Sequence, residues 1–346
     1  MARRCVVHIA WSLSMGGIET MLVNLANVQA DSGLSVKIII INNQIDEQLA
    51  SRISDKVKVV RLNRNPKSRS PWAVFRLNCE LFGADVIHSH SFTLASYILP
   101  IFCRKSILTI HTTEKTPKLT RERLLKYQRV TAISYGVQQM LKEDFDIDST
   151  IIYNGIDCSR IARKTYAEPH SPVKVLQLGR LIRQKGHHTL IDAIAKLPSM
   201  SVQLDIIGDG EEADNIKKLI GANGLQESVR MLGKQSQEYV FEHLADYDLL
   251  VQPSFVEGFG LTVAEAMTAG LPVMVSDISG LREVVDGGRY GRIFTAEDSD
   301  SCAMALKSFI DNPPTQSEVD LAEKFARENF DIRSVAERFI NLYNNI

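Results

Sequence analysis

The chain has 346 residues, and 40 Lys and Arg residues against 41 Asp and Glu residues leave a formal net charge of −1 at pH 7. This balance argues against nucleic-acid binding by the chain as a whole. Hydrophobic residues make up 45% of the chain, and its length suits two domains better than one core. No apolar run approaches the ~18 residues that cross a bilayer, so a membrane span is not expected.

The five cysteines are scattered along the chain and form no C-x-x-C pair. This pattern argues against a disulfide framework and against a zinc site. It favours a reducing compartment, and we expect a cytoplasmic location.

In the first half of the chain, apolar runs alternate with amphipathic ones. Helical patterns include Ile18–Ala30 and Ser134–Glu143. Strands are predicted near Cys5–Ala10, Val36–Ile41, Val57–Leu62, Asp85–His88, Ile107–His111 and Val130–Ile133. This alternation implies a parallel sheet with helices on both faces.

The second half repeats the alternation. Strands are predicted near Val173–Leu178, Val202–Ile207, Val229–Leu232, Asp248–Val251 and Pro272–Val275. Helices are predicted at His187–Ala195, Glu211–Ala222, Gln237–Ala245, Leu261–Thr268, Ser301–Asp311 and Glu318–Asn329. Two such series in one chain predict an α/β fold with two Rossmann-like domains.

The predicted domain boundary follows Asn154-Gly155, because Asn-Gly marks a turn and a polar segment follows it as far as Pro172. We therefore divide the chain into residues 1–155 and 156–333. Residues 334–346 read as an amphipathic helix.

The most informative segment runs from Glu257 to Glu265, two carboxylates with seven residues between them. Gly258 and Gly260 allow the backbone to approach a ligand closely. The helix that follows presents N–H groups and a positive dipole end to an anion. For Glu265 an alternative stays open, because Thr262 and Glu265 have the spacing of a capping box.

Two further glycine-containing segments follow predicted strands. Arg180 and Lys185 lie between the first strand of the second half and its helix, where they can compensate the charge of a diphosphate. Gly16 and Gly17 follow the first strand of the chain and suit phosphate or sugar contact through backbone N–H groups. This segment is not a G-x-G-x-x-G motif, so dinucleotide hydride chemistry is disfavoured.

Histidines follow two neighbouring strands. His111 ends one strand, where it can bond a sugar hydroxyl or serve as a structural histidine. His88 and His90 share a face of the neighbouring strand, so a metal pair is conceivable. No third ligand is in clear register with them, and we expect no metal site.

Two basic stretches, Arg61–Arg76 and Lys115–Arg129, lie in the first half, and the first contains Trp72 and Phe75. A basic helix with aromatic residues can lie on an anionic membrane surface. The alternative is two solvated faces. RNA binding is disfavoured, because neither stretch carries a nucleic-acid motif.

Taken in order, these segments resemble the family 4 group of retaining GT-B glycosyltransferases, also called glycosyl transferases group 1. The resemblance covers nearly the whole chain. The matching segments are Gly16-Gly17, Asp85–His90, His111, Asn154–Asp157, Gly179-Arg180 with Lys185-Gly186, Gly208–Gly210, and Glu257–Glu265 with Gly270–Val273. One departure is Ser279–Glu283, where Arg282 replaces a proline that is common in the family.

The resemblance implies a GT-B fold, in which two Rossmann-like domains face each other across a cleft. It places the acceptor on the first domain and the nucleotide sugar on the second, with the terminal helix returning to the first. By position, Glu265 would hold the ribose, and Arg180 and Lys185 the diphosphate, helped by the backbone N–H groups of Phe259, Gly260 and Leu261. Glu257 would contact the donor sugar with His111 beside it, which makes these two the catalytic candidates, and Gly16-Gly17 would close over the phosphate or acceptor.

The function implied is metal-independent, retaining transfer of a hexose from a UDP- or GDP-sugar to a glycan or lipid-linked acceptor, as in surface polysaccharide or glycolipid synthesis. No cofactor is expected beyond that co-substrate. Two alternatives stay open: a nucleotide-sugar epimerase or hydrolase of the same fold, and a non-catalytic glycan-binding subunit.

Overall fold

The computed structural model describes residues 3–14, 16–68, 70–114, 116–166 and 169–346. The chain forms two compact units. The first contains residues 1–157 and 330–346, and the second contains residues 158–329. No helix in the described ranges is long and apolar enough to cross a bilayer.

The first unit is built on a sheet whose described strands are all parallel. The strands are β1 (Cys5–Ala10), β2 (Ser35–Asn42), β3 (Val57–Arg64), β4 (Val86–Ser89), β5 (Ser106–Ile110), β6 (Arg129–Ala132) and β7 (Thr150–Ile151). Their order in the sheet is β3-β2-β1-β4-β5-β6-β7. The order therefore reverses between β1 and β4, which are neighbours in space but not in sequence.

Helices follow most of these strands. They are α1 (Gly17–Asp31), α2 (Glu47–Ala50), α3 (Trp72–Glu80), α4 (Arg121–Leu124) and α5 (Tyr135–Phe145). Ser134 caps α5, because its hydroxyl accepts a hydrogen bond from the N–H of Val137 at 3.2 Å. The predicted helices at Ile18 and Ser134 are confirmed, whereas the sequence predicts no bounds for α3.

The second unit has a parallel sheet of the same type. Its described strands are β8 (Val173–Leu178), β9 (Val202–Ile207), β10 (Val229–Gly233), β11 (Leu249–Gln252), β12 (Val273–Ser276) and β13 (Arg292–Phe294), in the order β10-β9-β8-β11-β12-β13. The helices that follow these strands in the chain or lie between them are α6 (His187–Ala195), α7 (Ala213–Ala222), α8 (Gln237–His243), α9 (Leu261–Thr268), α10 (Ser279–Val284), α11 (Ser299–Asp311) and α12 (Gln316–Phe330).

The last helix, α13 (Ile332–Tyr343), belongs to the first unit. Its buried face packs on Met21 and Leu25 of α1 and on apolar residues of β1, β4 and β5. Asp331 caps this helix through the N–H of Arg333 at 2.7 Å. The first unit therefore takes part of its core from the far end of the described chain.

Candidate functional site

The second unit has its topological switch point between β8 and β11, which are hydrogen-bonded neighbours. Ligands of open α/β sheets bind outside the carboxyl ends of the strands at such a point. The segment after β8 carries Arg180 and Lys185, and the segment after β11 carries Glu257 and Gly260. The fold thus brings the predicted donor-binding residues of this unit to one edge of one sheet.

The two segments are held together by their backbones. Gly186 has a φ of 67°, and a Cβ atom there would lie 1.9 Å from the carbonyl oxygen of Pro253. The N–H of Phe255 donates to the carbonyl oxygen of Gln184 at 3.0 Å. Any side chain at position 186 would therefore push apart the segments that carry the charged residues.

Lys185 and Glu257 form an ion pair at this contact. Their side chains are only 18% and 19% exposed, so the pair is largely shielded from water. A chain of side-chain hydrogen bonds also leads to the carboxylate. Thr262 donates to Gln252 at 3.2 Å, and Gln252 donates to Ser254 at 2.8 Å. Ser254 in turn donates to Glu257 at 3.5 Å. Sequence reasoning predicted the two charges but not their contact or this chain.

Helix α9 begins at the same edge. Its N-cap is Gly260, which has a φ of 107° and forms no side-chain cap. A Cβ atom at this position would lie 2.6 Å from Cδ2 of Leu281 on α10. The first N–H groups of a helix have no partner within the helix, and the dipole favours an anion there. The start of α9, with Phe259, Gly260 and Leu261, is therefore suited to a phosphate group.

Glu265 lies one turn further along α9, and one of its oxygens accepts a hydrogen bond from Gln237 of α8 at 3.2 Å. The capping-box alternative for this residue is wrong, because the N-cap of the helix is Gly260 and Thr262 bonds Gln252 instead.

Arg180 directly follows Gly179 at the end of β8, and its side chain is exposed. Among the described residues it has no ion-pair partner, unlike Lys185. One cation at this edge is therefore neutralised within the protein, and the other is available to a ligand.

In the first unit, Gly16 is the N-cap of α1 and Gly17 is its first residue. A Cβ atom on Gly16 would lie 2.6 Å from Oε2 of Glu19. Met15 lies outside the described residues. The predicted contact with phosphate or acceptor stays a prediction.

His111 follows β5, and His90 follows β4, with His111 Nε2 and His90 Nδ1 3.3 Å apart. The structure adds a third histidine that sequence reasoning missed: His8 of β1 lies in register with His88. Potential ligand atoms of His8, His88 and His90 lie within 4.8 Å of one another. All six ring nitrogens of these three residues already have hydrogen-bond partners in the protein, so a metal ion would have to displace them.

Burial keeps these histidines neutral. It lowers the pKa of His8 and of His111 to about 4. It also lowers the pKa of His88 and of His90 well below the ordinary range, and the neighbouring histidines add to this effect. A group of uncharged imidazoles at neutral pH is the result.

Two family models match the chain. One, described as Glycosyltransferase Family 4, matches residues 15–160. The other, described as Glycosyl transferases group 1, matches residues 159–328. Together they cover both units.

Among curated proteins, the chain is 32% identical over 200 residues to a glycogen synthase of Mycobacterium tuberculosis, a match that covers 56% of this chain and 48% of that protein. It is 26% identical to a phosphatidyl-myo-inositol mannosyltransferase of Mycobacterium leprae, over 96% of this chain and 93% of that one. The chain spans about half the length of several curated relatives that it matches.

Among solved structures, Anabaena HepE in complex with UDP and glucose is similar with a TM-score of 0.82 at 20% sequence identity. That match covers 99% of this chain and 100% of HepE, and it bears on the fold alone. With two Rossmann-like units on parallel sheets and both family models matched, the chain belongs to the family 4 glycosyltransferases and has their GT-B fold.

Proposed function

We propose that the protein is a retaining, metal-independent glycosyltransferase that moves a hexose from a UDP- or GDP-sugar to a glycan or lipid-linked acceptor. The observation that carries the proposal is the group of charges at the β8–β11 switch point. There the shielded Lys185–Glu257 pair, the exposed Arg180 and the start of α9 lie at one edge of the sheet. Two similar proteins agree in class: one is a phosphatidyl-myo-inositol mannosyltransferase, and HepE was solved with UDP and glucose.

In this proposal, Arg180 and Lys185 bind the diphosphate, and the N–H groups at the start of α9 bind the same anion. Glu265 binds the ribose hydroxyls and Glu257 the donor sugar. His111 is the second proposed catalytic residue. Arg180, Lys185 and the start of α9 stabilise the negative charge that develops on the departing diphosphate. A metal ion performs this task in other phosphate sites.

The proposed transfer is a substitution on one face of the sugar. The bond from the anomeric carbon to the diphosphate oxygen breaks, and a bond from that carbon to the acceptor oxygen forms on the same face. The proton of the acceptor hydroxyl passes to the departing diphosphate. The protein therefore does not need to supply a nucleophile, and its residues act by orientation and charge.

A transfer assay with UDP-, GDP- and ADP-sugars, run with and without EDTA, tests the proposal. We expect turnover with one base only, unaffected by EDTA, and a retained anomeric configuration in the product. Arg180→Ala should lose about 10² to 10³-fold in kcat, as expected when one transition-state charge contact is removed. Arg183→Ala is the matched control, since Arg183 is an exposed cation in the same segment.

Three results would redirect the proposal. Full transferase activity of Glu257→Ala with normal donor affinity would remove Glu257 from the mechanism. Donor turnover at an equal rate without acceptor would favour the epimerase or hydrolase. Binding of nucleotide sugar without any turnover would favour the non-catalytic subunit.

We further propose a cytoplasmic location with peripheral contact to anionic membrane. The support lies in α3, where Trp72 and Phe75 are 62% and 59% exposed and their ring centroids lie 5.3 Å apart. Several cations of the two basic stretches already have partners within the protein and are less available to anionic lipid than the sequence indicates. Arg61 pairs with Glu47, and Arg121 and Arg123 donate to backbone carbonyl oxygens of Phe145 and Lys118. Arg69 and Lys115 lie outside the described residues.

A further inference from the structure

The core of the first unit contains a continuous side-chain hydrogen-bond network. Gln29 of α1 is at its centre and is fully buried. One branch runs from Gln29 through Tyr343 to a histidine and two threonines, and the other runs through two histidines to His111. The members are His8, Gln29, His88, His90, Thr109, His111, Thr131 and Tyr343.

The direction of the first branch follows from its end. Thr131 Oγ1 donates to the carbonyl oxygen of Leu108 at 3.4 Å, and a carbonyl can only accept. Since a hydroxyl has one proton, Thr131 must accept from the Thr109 hydroxyl at 2.8 Å. Thr109 then accepts from Nε2–H of His88 at 2.7 Å.

The same logic continues to Gln29. A neutral histidine has one donor and one acceptor nitrogen, so His88 accepts at Nδ1 from the Tyr343 hydroxyl at 2.7 Å. Tyr343 therefore accepts from the Gln29 amide NH2 group at 3.1 Å. The amide oxygen of Gln29 is consequently the group that faces His8.

The second branch then has a single direction. His8 donates Nε2–H to the Gln29 oxygen at 2.7 Å, so its Nδ1 accepts from Nε2–H of His90 at 3.1 Å. His90 in turn accepts at Nδ1 from Nε2–H of His111 at 3.3 Å. Nδ1 of His111 is left as an acceptor and is buried, with no close, well-aligned hydrogen bond among the described residues. The side chain of Asn154 is its hydrogen-bonding neighbour, and this contact raises the pKa of His111 against the larger lowering by burial.

We infer that Gln29 is a positioning residue that, through His8 and His90, holds His111 in one tautomer, protonated at Nε2 and accepting at Nδ1. Which imidazole nitrogen carries the proton is set by the partner of the other nitrogen. An acceptor nitrogen fits a donor group, either the side-chain amide of Asn154 or a hydroxyl that replaces this contact, and it repels a phosphate oxygen. The functional part of this inference rests on the proposed role of His111 in transfer; the tautomer itself does not.

Nitrogen-15 NMR of the full chain with labelled histidine tests the tautomers without any substrate. It distinguishes a protonated ring nitrogen from an unprotonated one. We expect His8, His88, His90 and His111 all to carry their proton on Nε2 at neutral pH. A proton on Nδ1 of His8, His90 or His111 would overturn the inferred direction.

Two variants test the role of Gln29. Gln29→Met removes the group that joins the branches, and Tyr343→Phe keeps Gln29 but removes the hydroxyl that orients its amide. In both, we expect His8, His90 and His111 to become mixtures of tautomers. If His111 keeps a single tautomer in a folded variant, Gln29 does not control the tautomer of His111. Asn78→Leu is the matched control, because Asn78 is a buried amide of the same unit outside the network.

Activity is a separate readout. If the proposed function holds, kcat of Gln29→Met should fall about five- to tenfold with little change in KM for the nucleotide sugar, equivalent to the loss of one net hydrogen bond. Asn78→Leu should keep its kcat. Mixed tautomers with unchanged kcat would retain the inferred network but remove His111 from the mechanism. If the wild type shows the expected tautomers but no transferase activity, the proposed function is wrong and the inferred network stands.

Discussion

At the scale of single residues, the Lys185–Glu257 contact is informative because it joins two groups that we propose to bind different parts of the donor. A largely shielded carboxylate beside a lysine reduces the net charge of the empty site. If the two residues bind the donor as proposed, an incoming diphosphate would compete with Glu257 for the ammonium group, and Glu257 would become available to the sugar hydroxyls. Binding of the anion and binding of the sugar would be coupled through this one pair.

A double-mutant cycle tests this pair. Removing one partner leaves a shielded charge without compensation, so Lys185→Met and Glu257→Gln should each lower the free energy of unfolding by about 1–2 kcal/mol. The double variant should lose less than the sum, while activity stays lost. Chemical denaturation followed by circular dichroism measures this. Strict additivity would mean that the two groups do not interact in solution.

At the scale of elements, the site depends on how α9 begins. Gly260 combines a positive φ with close contact to Leu281, whereas Gly224, after α7, has a φ of 66° and open space around its Cβ position. The second glycine therefore offers a comparison in which only the backbone conformation is unfavourable to a side chain.

We expect Gly260→Ala to cost about 2–4 kcal/mol of unfolding free energy, since backbone strain and the clash with α10 add. Gly224→Ala should cost only about 1 kcal/mol. Donor affinity should fall in the first variant and stay unchanged in the second. Thermal unfolding with and without the nucleotide measures both quantities, and equal effects would mean that α9 does not need this N-cap.

Helix α3 supplies a second test at this scale. If its exposed aromatic residues contact membrane, Trp72→Ala with Phe75→Ala should weaken binding to vesicles rich in anionic lipid by about thirtyfold, because each buried aromatic side chain contributes about 1 kcal/mol or more. Co-sedimentation measures this. Met304→Ala is the control, since Met304 is 67% exposed on α11 of the second unit. Unchanged sedimentation of the double variant would leave α3 as an ordinary solvated helix.

At the scale of the whole molecule, the two units differ in their buried histidines. The first unit has four with lowered pKa values, three of them buried and His111 partly buried, whereas among the described residues of the second only His187 has a pKa lowered to about 4. Unfolding exposes these groups to water, where their pKa returns to about 6.5. The stability of the first unit should therefore depend on pH more steeply.

The sign follows from proton binding. Below pH ~6.5 the unfolded chain binds protons that the folded unit excludes, so the free energy of unfolding falls as pH falls toward 4. Each histidine lowers the free energy of unfolding by up to about 1.4 kcal/mol for each pH unit below pH ~6.5. Fluorescence of Trp11 and Trp72, the two tryptophans of the chain, reports on the first unit in denaturant at about pH 7.5 and about pH 5.5. His111→Gln should lower the number of protons taken up on unfolding by one, and so make the free energy of unfolding less dependent on pH. A wild-type free energy of unfolding that does not change with pH would contradict the neutral state of the buried histidines.

Much of the fold could be predicted from the sequence. β1, β8 and β9 and the helices at His187 and Leu261 match their predicted bounds, because apolar runs bounded by turns identify central parallel strands. Strand β13 was not predicted, since Arg292–Phe294 is too short for its periodicity to be visible. For α3 the sequence indicates a basic helix with aromatic residues but not its bounds, because the exposed aromatic residues break the usual amphipathic pattern.

Only part of the candidate site could be predicted from the sequence. Motif spacing identified Glu257, Glu265, Arg180 and Lys185, but not the contact between Lys185 and Glu257, which depends on how two segments pack. His8 was overlooked because it lies in the middle of a strand. The sheet order expected of a Rossmann-like unit places β1 beside β4, and that order was the available signal for His8 beside His88.

Helix α13 has a consequence for synthesis on the ribosome. The second unit is continuous in sequence, so it can fold as soon as residue 329 has left the exit tunnel. The first unit is made earlier but cannot complete its core until α13 emerges, because Phe339 and Tyr343 fill the space beside α1. Throughout translation of the second unit, the nascent first unit exposes the apolar surface that α13 will cover, and it is then that chaperones would be needed most.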